Sequence, residues 1–443
     1  MPPGVPYIVG NEAAERFSFY GMRTILFVFM TQYLVTSTGE DARLTETQAR
    51  EWVSWFNSAA YFFPLLGALV ADAFWGKYRT ILYISLFYCA GHGLLALMDL
   101  PNPILQATLE PQSFLVLGLL LIAIGAGGIK PCVSANVGDQ FGATNAHLLP
   151  RVFGWFYFSI NVGSFASTLL TPWLLEHHGP GWAFGVPGIL MAVATFTFWL
   201  GRRKFVHIPP GGKQFVRQTL SGEGLRVIGK LVPLYLFVAV FWALYDQSGA
   251  GWVGQAAQMD RSFLGIVWLE SQVQAINPLL ILLFIPLFTY VVYPAIDRVW
   301  KLTPLRKLGI GFFTTAASFA LTAVVQSWID DGATPSIAWQ LLAFVILTAA
   351  EVMVSITCLE FSYTQAPPRM KSFVMALFFL SVSLGNVFTA LVNRFTMDAE
   401  GNSTLVGASY YWFFTTTMLV AAVVYVGFSL WFKPRTYLQQ EAA

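Results

Sequence analysis

Twelve apolar runs, each long enough to cross a bilayer as a helix, take up most of this chain. They lie near 11–36, 51–74, 79–98, 112–133, 151–175 and 182–201, then near 229–248, 271–296, 307–327, 336–363, 372–394 and 409–432. Only 11% of the 443 residues are charged, where soluble domains carry roughly 25%. The mean hydropathy of +0.61 agrees. The pattern predicts an all-α membrane protein of twelve transmembrane helices. It has an N-terminal bundle at 1–201, a polar connector at 202–228 and a C-terminal bundle at 229–443. The opening Met-Pro-Pro-Gly-Val-Pro-Tyr has no basic n-region, so no cleavable signal peptide is expected.

Lysine and arginine set the orientation. With the N-terminus inside, eighteen of the 25 fall on inner loops, at Lys77, Arg79, Arg151, seven positions within 202–230, Arg298, Lys301, Arg306, Lys307, Arg369, Lys371, Lys433 and Arg435. Outer loops hold only Arg43, Arg50, Arg261 and Arg394, and Arg16, Arg23 and Lys130 lie within spans. Both termini are expected in the cytoplasm, with the protein in a plasma (bacterial inner) membrane. A net charge of +2 gives no sign of nucleic-acid binding. The connector, from Gly201 to Arg217, reads as a flexible linker whose basic face suits anionic lipid.

The first run carries charges that lipid does not tolerate. On an ideal helix of about 100° per residue, with Glu12 at 0°, Arg23 falls at about 20°, Arg16 at about 40°, Tyr20 at about 80° and Glu15 at about 300°. A single charge at mid-bilayer depth costs at least ~2.5–3.5 kcal/mol. Four on one arc must therefore line a polar interior. Five carboxylates, Glu12, Glu15, Asp246, Glu351 and Glu360, fall inside spans against three cations. Desolvation favours the neutral acid and a nearby Arg favours the carboxylate. With too few cations to pair every acid, one or two carboxylates should bind a proton part of the time, as proton coupling requires.

Other polar positions point the same way. Lys130, within Gly-Ala-Gly-Gly-Ile-Lys-Pro, is expected to face Glu12 and Glu15 across the bundle. Tyr157 and Asn161, at i and i+4, share a face and can offer hydrogen bonds to one ligand. Asn277 precedes Pro278, where a kink exposes backbone. Glu351 and Glu360 are nine residues apart and half a turn out of phase on an unbroken helix. Glu360 is therefore assigned to the site and Glu351 to a buried interhelical contact. The five histidines include no metal-spaced pair within a span, no nucleophile–base pair stands out, and Cys89, Cys132 and Cys358 all sit in apolar segments. Neither an enzyme nor a metal or cofactor is indicated.

Six plus six helices about a connector resemble the major facilitator superfamily, in which two six-helix bundles share a substrate. The segment Gly67-Ala-Leu-Val-Ala-Asp-Ala-Phe-Trp-Gly-Lys-Tyr-Arg79 resembles that superfamily's loop between helices 2 and 3, which implies that Asp72, Lys77 and Arg79 latch or gate. Five further motifs together resemble the proton-dependent oligopeptide transporters. They are Glu12-x-x-Glu-Arg-Phe with Tyr20-Gly-Met-Arg, Gly127-Gly-Ile-Lys-Pro-Cys-Val-Ser-Ala with Gly138-Asp-Gln-Phe, Phe156-Tyr-x-x-Ile-Asn-x-Gly-Ser, Phe241-Trp-Ala-Leu-Tyr-Asp-Gln, and Leu359-Glu-Phe-Ser-Tyr-x-Gln-Ala-Pro.

The resemblance implies a symporter that imports di- and tripeptides by alternating access, driven by a proton gradient and working as a monomer. It implies that Arg23 and Lys130, near Arg16, hold the peptide carboxylate, and that Glu360, Asn161 and Asn277 hold its amino group. Tyr20, Tyr61, Tyr157 and Trp242 would shape side-chain pockets. Glu12 and Glu15, with Arg16, Lys130 and Glu360, would handle the proton, and Arg23 with Asp246 would form an outer gate. Ser54 stands where intestinal-type members have a helix-2 histidine, and Tyr245 where plant nitrate carriers have a helix-7 histidine. The alternative on the same scaffold is another small anion or zwitterion, such as nitrate, histidine or a conjugated metabolite.

Overall fold

The computed structural model describes residues 1–36, 38–98, 110–141, 145, 148–367, 370–396 and 404–434. Arg369 and Arg435, two of the cations placed on inner loops, lie outside them. Among the described residues nearly everything is helix, and the one sheet is a two-residue hairpin, Ser262–Phe263 paired antiparallel with Ile266–Val267. Ten helical segments among these residues are long and apolar enough to cross a membrane, by length and composition. Two further long helices are Val5–Val28, which bears the charged face, and Leu149–His178.

The chain divides into two compact units. The first comprises Met1–Leu225 with Pro367–Ser383. Its helices are α1 (Val5–Val28), α2 (Glu46–Val70), α3 (Lys77–Leu97), α4 (Pro111–Asp139), α5 (Leu149–His178), α6 (Pro180–Leu200) and α7 (Gly212–Thr219). Local chemistry sets several of these limits. Thr45-Glu-Thr-Gln48 is a capping box: the Thr45 hydroxyl accepts from the Gln48 N–H at 3.3 Å, and the Gln48 side chain accepts from the Thr45 N–H at 3.0 Å. Pro111 and Pro180 sit in the first turns of α4 and α6, where a missing N–H costs nothing.

Within this unit α3 packs between α4 and α6, α1 packs on α5 and α6, and α2 packs on α4. The α2–α4 contact needs glycine. A Cβ on Gly67 would strike the Gly128 backbone, so the two helices touch at main-chain distance.

The connector is not the flexible linker expected of it. Gln140, at the end of α4, accepts from the Val206 N–H at 2.9 Å and donates to the Val206 carbonyl. Phe205 and His207 pack on the Tyr78 ring, and the Gly211 N–H donates to the Asp72 carbonyl at 2.7 Å. Phe215 of α7 is buried against Phe373. Composition reported polarity here, but two apolar anchors ten residues apart, Phe205 and Phe215, pin the segment.

The second unit comprises Arg226–Ala366 and the chain from Leu384 onward. Its helices are α8 (Gly222–Tyr245), α9 (Gly251–Ala257), α10 (Ile276–Leu287), α11 (Tyr293–Val299), α12 (Pro304–Asp330), α13 (Ala338–Glu351), α14 (Thr357–Gln365), the later part of α15 (Lys371–Phe395) and α16 (Ala408–Trp431). Thr303 caps α12, with Pro304 in its first turn. α12 packs on α13 and α16. There the Ser318 hydroxyl donates to the Ala343 carbonyl at 2.8 Å and the Tyr425 hydroxyl to the Leu305 carbonyl at 3.0 Å.

Among the described residues four helices carry a wide π-helical turn, at Phe29–Tyr33, Ala71–Trp75, Phe288–Val292 and Val352–Ile356. The last one corrects an assumption. Glu351 and Glu360 are not on an unbroken helix, because the π turn between them inserts a residue. That shifts the later phase by roughly 100°. The half-turn separation shrinks to roughly a quarter turn.

Candidate functional site

In the first unit α1 builds the charged centre. Glu12 and Arg16, one turn apart, are joined by a hydrogen bond from Arg16 Nε to Glu12 Oε1 at 2.6 Å, and the same nitrogen lies 3.2 Å from Glu15 Oε2. All three side chains are buried, so a single guanidinium serves two carboxylates out of contact with bulk water. A buried ion cluster holds only while its charges compensate. Among the described residues Glu12 Oε2 and both Glu15 oxygens accept no hydrogen bond.

Lys130 faces Glu12 and Glu15 as expected, within electrostatic reach and without a direct ion pair. Its buried ammonium sits over two rings, 3.6 Å from the Phe19 centroid and 4.2 Å from the Tyr61 centroid, and finds no hydrogen-bond partner among the described residues. It stays within electrostatic reach of Glu12, Glu15, Arg16 and Arg23. The glycine contact explains the placement. With α2 and α4 in backbone contact, Tyr61 of α2 is drawn over the residue that follows Gly128-Ile129 on α4. A cation held by aromatic faces keeps its N–H donors available to an incoming anion.

The rest of the predicted set in this unit is partly brought together. Tyr20, Arg23, Tyr61 and Tyr157 are half-buried. Asn161 is buried and donates to the Tyr157 carbonyl of its own helix at 2.9 Å. Lys77 pairs with Asp139 at 2.5 Å, which gives the Gly138-Asp-Gln motif a function that sequence reasoning missed. Asp72 is bound through its carbonyl to Gly211, and Arg79 is exposed.

In the second unit Asn277 is not held ready beside Glu360. Its amide donates to Glu351 Oε2 at 2.7 Å and to Thr348 at 3.0 Å, and its carbonyl oxygen accepts from the Tyr245 hydroxyl at 3.1 Å. Glu351 therefore makes the buried interhelical contact expected of it, and its partner is a residue nominated for substrate. Glu360 is exposed, within electrostatic reach of Tyr293. Trp242 packs against Phe241 and Tyr245. Asp246 opens a short 3₁₀ turn after α8 and accepts from Asn386 at 2.6 Å, an α15 partner that no motif had flagged. Among the described residues no cluster of His, Cys, Asp or Glu could hold a metal ion.

The POT family profile matches residues 78–221 and 214–413. The chain belongs to the POT family. The chain is 37% identical over 372 residues to "Peptide transporter family 1" of Drosophila melanogaster, covering 75% of this chain and 48% of that protein. It is 34% identical over 397 residues to "Solute carrier family 15 member 2" of Homo sapiens, covering 80% of this chain and 53% of that one. The chain thus spans about half the length of these curated relatives. Among solved structures it resembles an auto-inhibited POT family peptide transporter, with a TM-score of 0.85, 32% identity and 99% of each chain covered. It also resembles a POT family transporter crystallised in meso, with a TM-score of 0.82, 35% identity and coverage of 97% of this chain and 98% of that one. This POT chain is an integral membrane protein of helical fold.

Proposed function

We propose that this POT protein is a proton-coupled symporter for di- and tripeptides. The observation that carries this reading is the buried α1 centre, where Glu12 and Glu15 share Arg16 while the Lys130 ammonium keeps its donors unused. A proton taken by either carboxylate weakens its claim on Arg16. The local field of Arg16, Arg23 and Lys130 then favours an anion, such as a peptide carboxylate. Glu360, exposed in the second unit, is the group assigned to the peptide ammonium. Recognition of both termini of a zwitterion suits a carrier that tolerates many side chains. Tyr20, Tyr61, Tyr157, Asn161 and Trp242 are assigned to the walls around those side chains, and Arg23 with Asp246 to an outer gate.

The finer architecture belongs to the same proposal. It has twelve spans as two six-helix bundles of the major facilitator type, both termini in the cytoplasm, a plasma-membrane location and alternating access by a single chain. The test is uptake of labelled dialanine into proteoliposomes with and without an inward proton gradient, for wild type and Glu15→Gln. Accumulation that follows the gradient in wild type, with the mutant retaining only exchange, is the expected result. No accumulation by wild type would sink peptide symport and bring the nitrate, histidine or conjugate reading forward.

A further inference from the structure

Beyond the charged face of α1, two fully buried titratable groups of the first unit lie on α3. Tyr88 and His92, one helical turn apart, are both 0% exposed, and their rings stack with centroids 5.2 Å apart and planes at 20°. Among the described residues no hydrogen bond of good geometry reaches either His92 ring nitrogen or the Tyr88 hydroxyl, whose near polar neighbours are the Phe184 carbonyl and the Glu15 carboxylate respectively. Both Glu15 oxygens and the Asn11 amide share that condition in the same helix cluster. The Tyr88 hydroxyl lies within electrostatic reach of Glu15 and Arg16.

The surroundings of the pair are short of charge. From α4, Gly125 presses on Tyr88, where an added Cβ would come 2.5 Å from the Tyr88 Cβ. From α6, Gly188 presses on His92 in the same way at 2.9 Å, and the Phe184 carbonyl faces the ring. From α1 come Glu15 and Arg16, reached through Tyr88. On α3 itself the neighbouring titratable group is Cys89, whose sulfur lies 3.7 Å from the Thr195 hydroxyl.

A buried polar atom left unpaired costs about 1–3 kcal/mol. Such atoms on packed helices are ordinarily met by internal water, which makes 2–4 hydrogen bonds per molecule. We propose that Glu15, Tyr88 and His92 enclose a file of internal water, and that this file is a proton branch ending at the Glu12/Glu15 pair. It rests on the proton coupling proposed above. A phenol hydroxyl and an imidazole both donate and accept. A proton can therefore join one His92 nitrogen while another leaves the opposite nitrogen for water, pass the Tyr88 hydroxyl by the same exchange, and end on a Glu15 oxygen. One proton enters, one is delivered, and the intermediate groups return to their starting forms.

Water is tested first, by pulsed radiolytic hydroxyl labelling of the full chain in ¹⁸O water. Tyr7, ahead of the first span with its hydroxyl accepting from Lys204 in an exposed contact, is the wet reference, and Tyr425, 1% exposed with its hydroxyl on the Leu305 carbonyl, is the dry one. Tyr88 should label about tenfold faster than Tyr425. Labelling at the Tyr425 level overturns the water file, whatever the protein transports. The relay is tested with Tyr88→Phe and His92→Gln in proteoliposomes. Gradient-driven uptake should fall about tenfold and its pH profile should move, with peptide counterflow within about twofold of wild type. Equal loss in both assays, or drive unchanged despite labelling, overturns the relay. Absence of wild-type counterflow refutes the peptide reading instead, while labelling still decides the file.

Discussion

The two units bury polar groups to opposite ends. The second unit cross-bonds its own. Gln340 donates to the Trp252 carbonyl at 2.9 Å and to Gln255 at 3.2 Å, Gln255 donates to Gln326 at 2.9 Å, and Gln326 donates to Asp330 at 3.0 Å. Asp330 in turn accepts from the first N–H of α16 at 2.7 Å. These are neutral amides ending on one carboxylate, a ladder that ties α9, α12, α13 and α16 together. The first unit instead buries Glu12, Glu15, Arg16 and Lys130 with several atoms unpaired. A satisfied network rigidifies its helices, and an unsatisfied one stores affinity for whatever completes it. On the proposed function, a proton and an anion would be taken up at the charged centre of the first unit, while the amide ladder holds four helices of the second together.

The contrast can be broken at its strongest point. Arg16→Gln leaves Glu12 and Glu15 buried without their counter-charge, and should lower stability by ~3–5 kcal/mol. Thermal unfolding in detergent measures it, and adding Glu12→Gln should restore part of the loss. If Arg16→Gln unfolds like wild type, the charged centre is not held by compensation and the distinction between the units collapses. Next comes the ladder. Gln340→Leu strands the Trp252 carbonyl and Gln255, for a loss of about 1–3 kcal/mol. Uptake per folded molecule should stay within about twofold of wild type.

Lys130→Met should change stability by no more than about 1 kcal/mol, since the lost ring contacts are offset by relief of a buried charge. Its gradient-driven uptake should nevertheless be abolished, and retained uptake would remove Lys130 from the anion site. The smallest effect is expected at the surface. Hydrogen bonds from the Arg43 guanidinium and N–H hold the Asp41 carboxyl down to about 2, from an ordinary 3.8. Stability from such a depressed acid is fully present above the ordinary value and is lost as pH falls through the folded one. Asp41→Asn should therefore leave the uptake profile between about pH 5 and 8 unchanged.

How much was legible follows from what periodicity can carry. Helix existence was plain, because apolar runs of bilayer length have few other uses. The charged face of α1 was plain too, since i, i+4 spacing alone brings Arg16 to Glu12. Partners across helices were not. Nothing in the run around Lys130 says that Phe19 and Tyr61 cover its ammonium, because that depends on the Gly67–Gly128 contact. Asn277 was read by its neighbour Pro278, yet its bonds go to Thr348 and Glu351, some seventy residues away. Tyr88 and His92 look like ordinary members of an apolar helix. Only three-dimensional packing shows that their polar atoms are buried beside Glu15 and the Phe184 carbonyl with no hydrogen bond of good geometry.

If Glu360 holds the peptide ammonium as proposed, the π turn at Val352–Ile356 makes chain length itself a determinant of specificity. Deleting one residue there, Ser355 for instance, lets the segment rewind as a uniform α-helix, turning everything beyond it back by roughly 100°. Glu351 would keep Asn277, while Glu360 would swing to another azimuth with its chemistry untouched. A family that gains or loses single residues in such turns can re-aim an acid without altering a codon for it. The deletion variant should retain its fold by circular dichroism and lose peptide exchange, and restoring one alanine at the same place should bring exchange back.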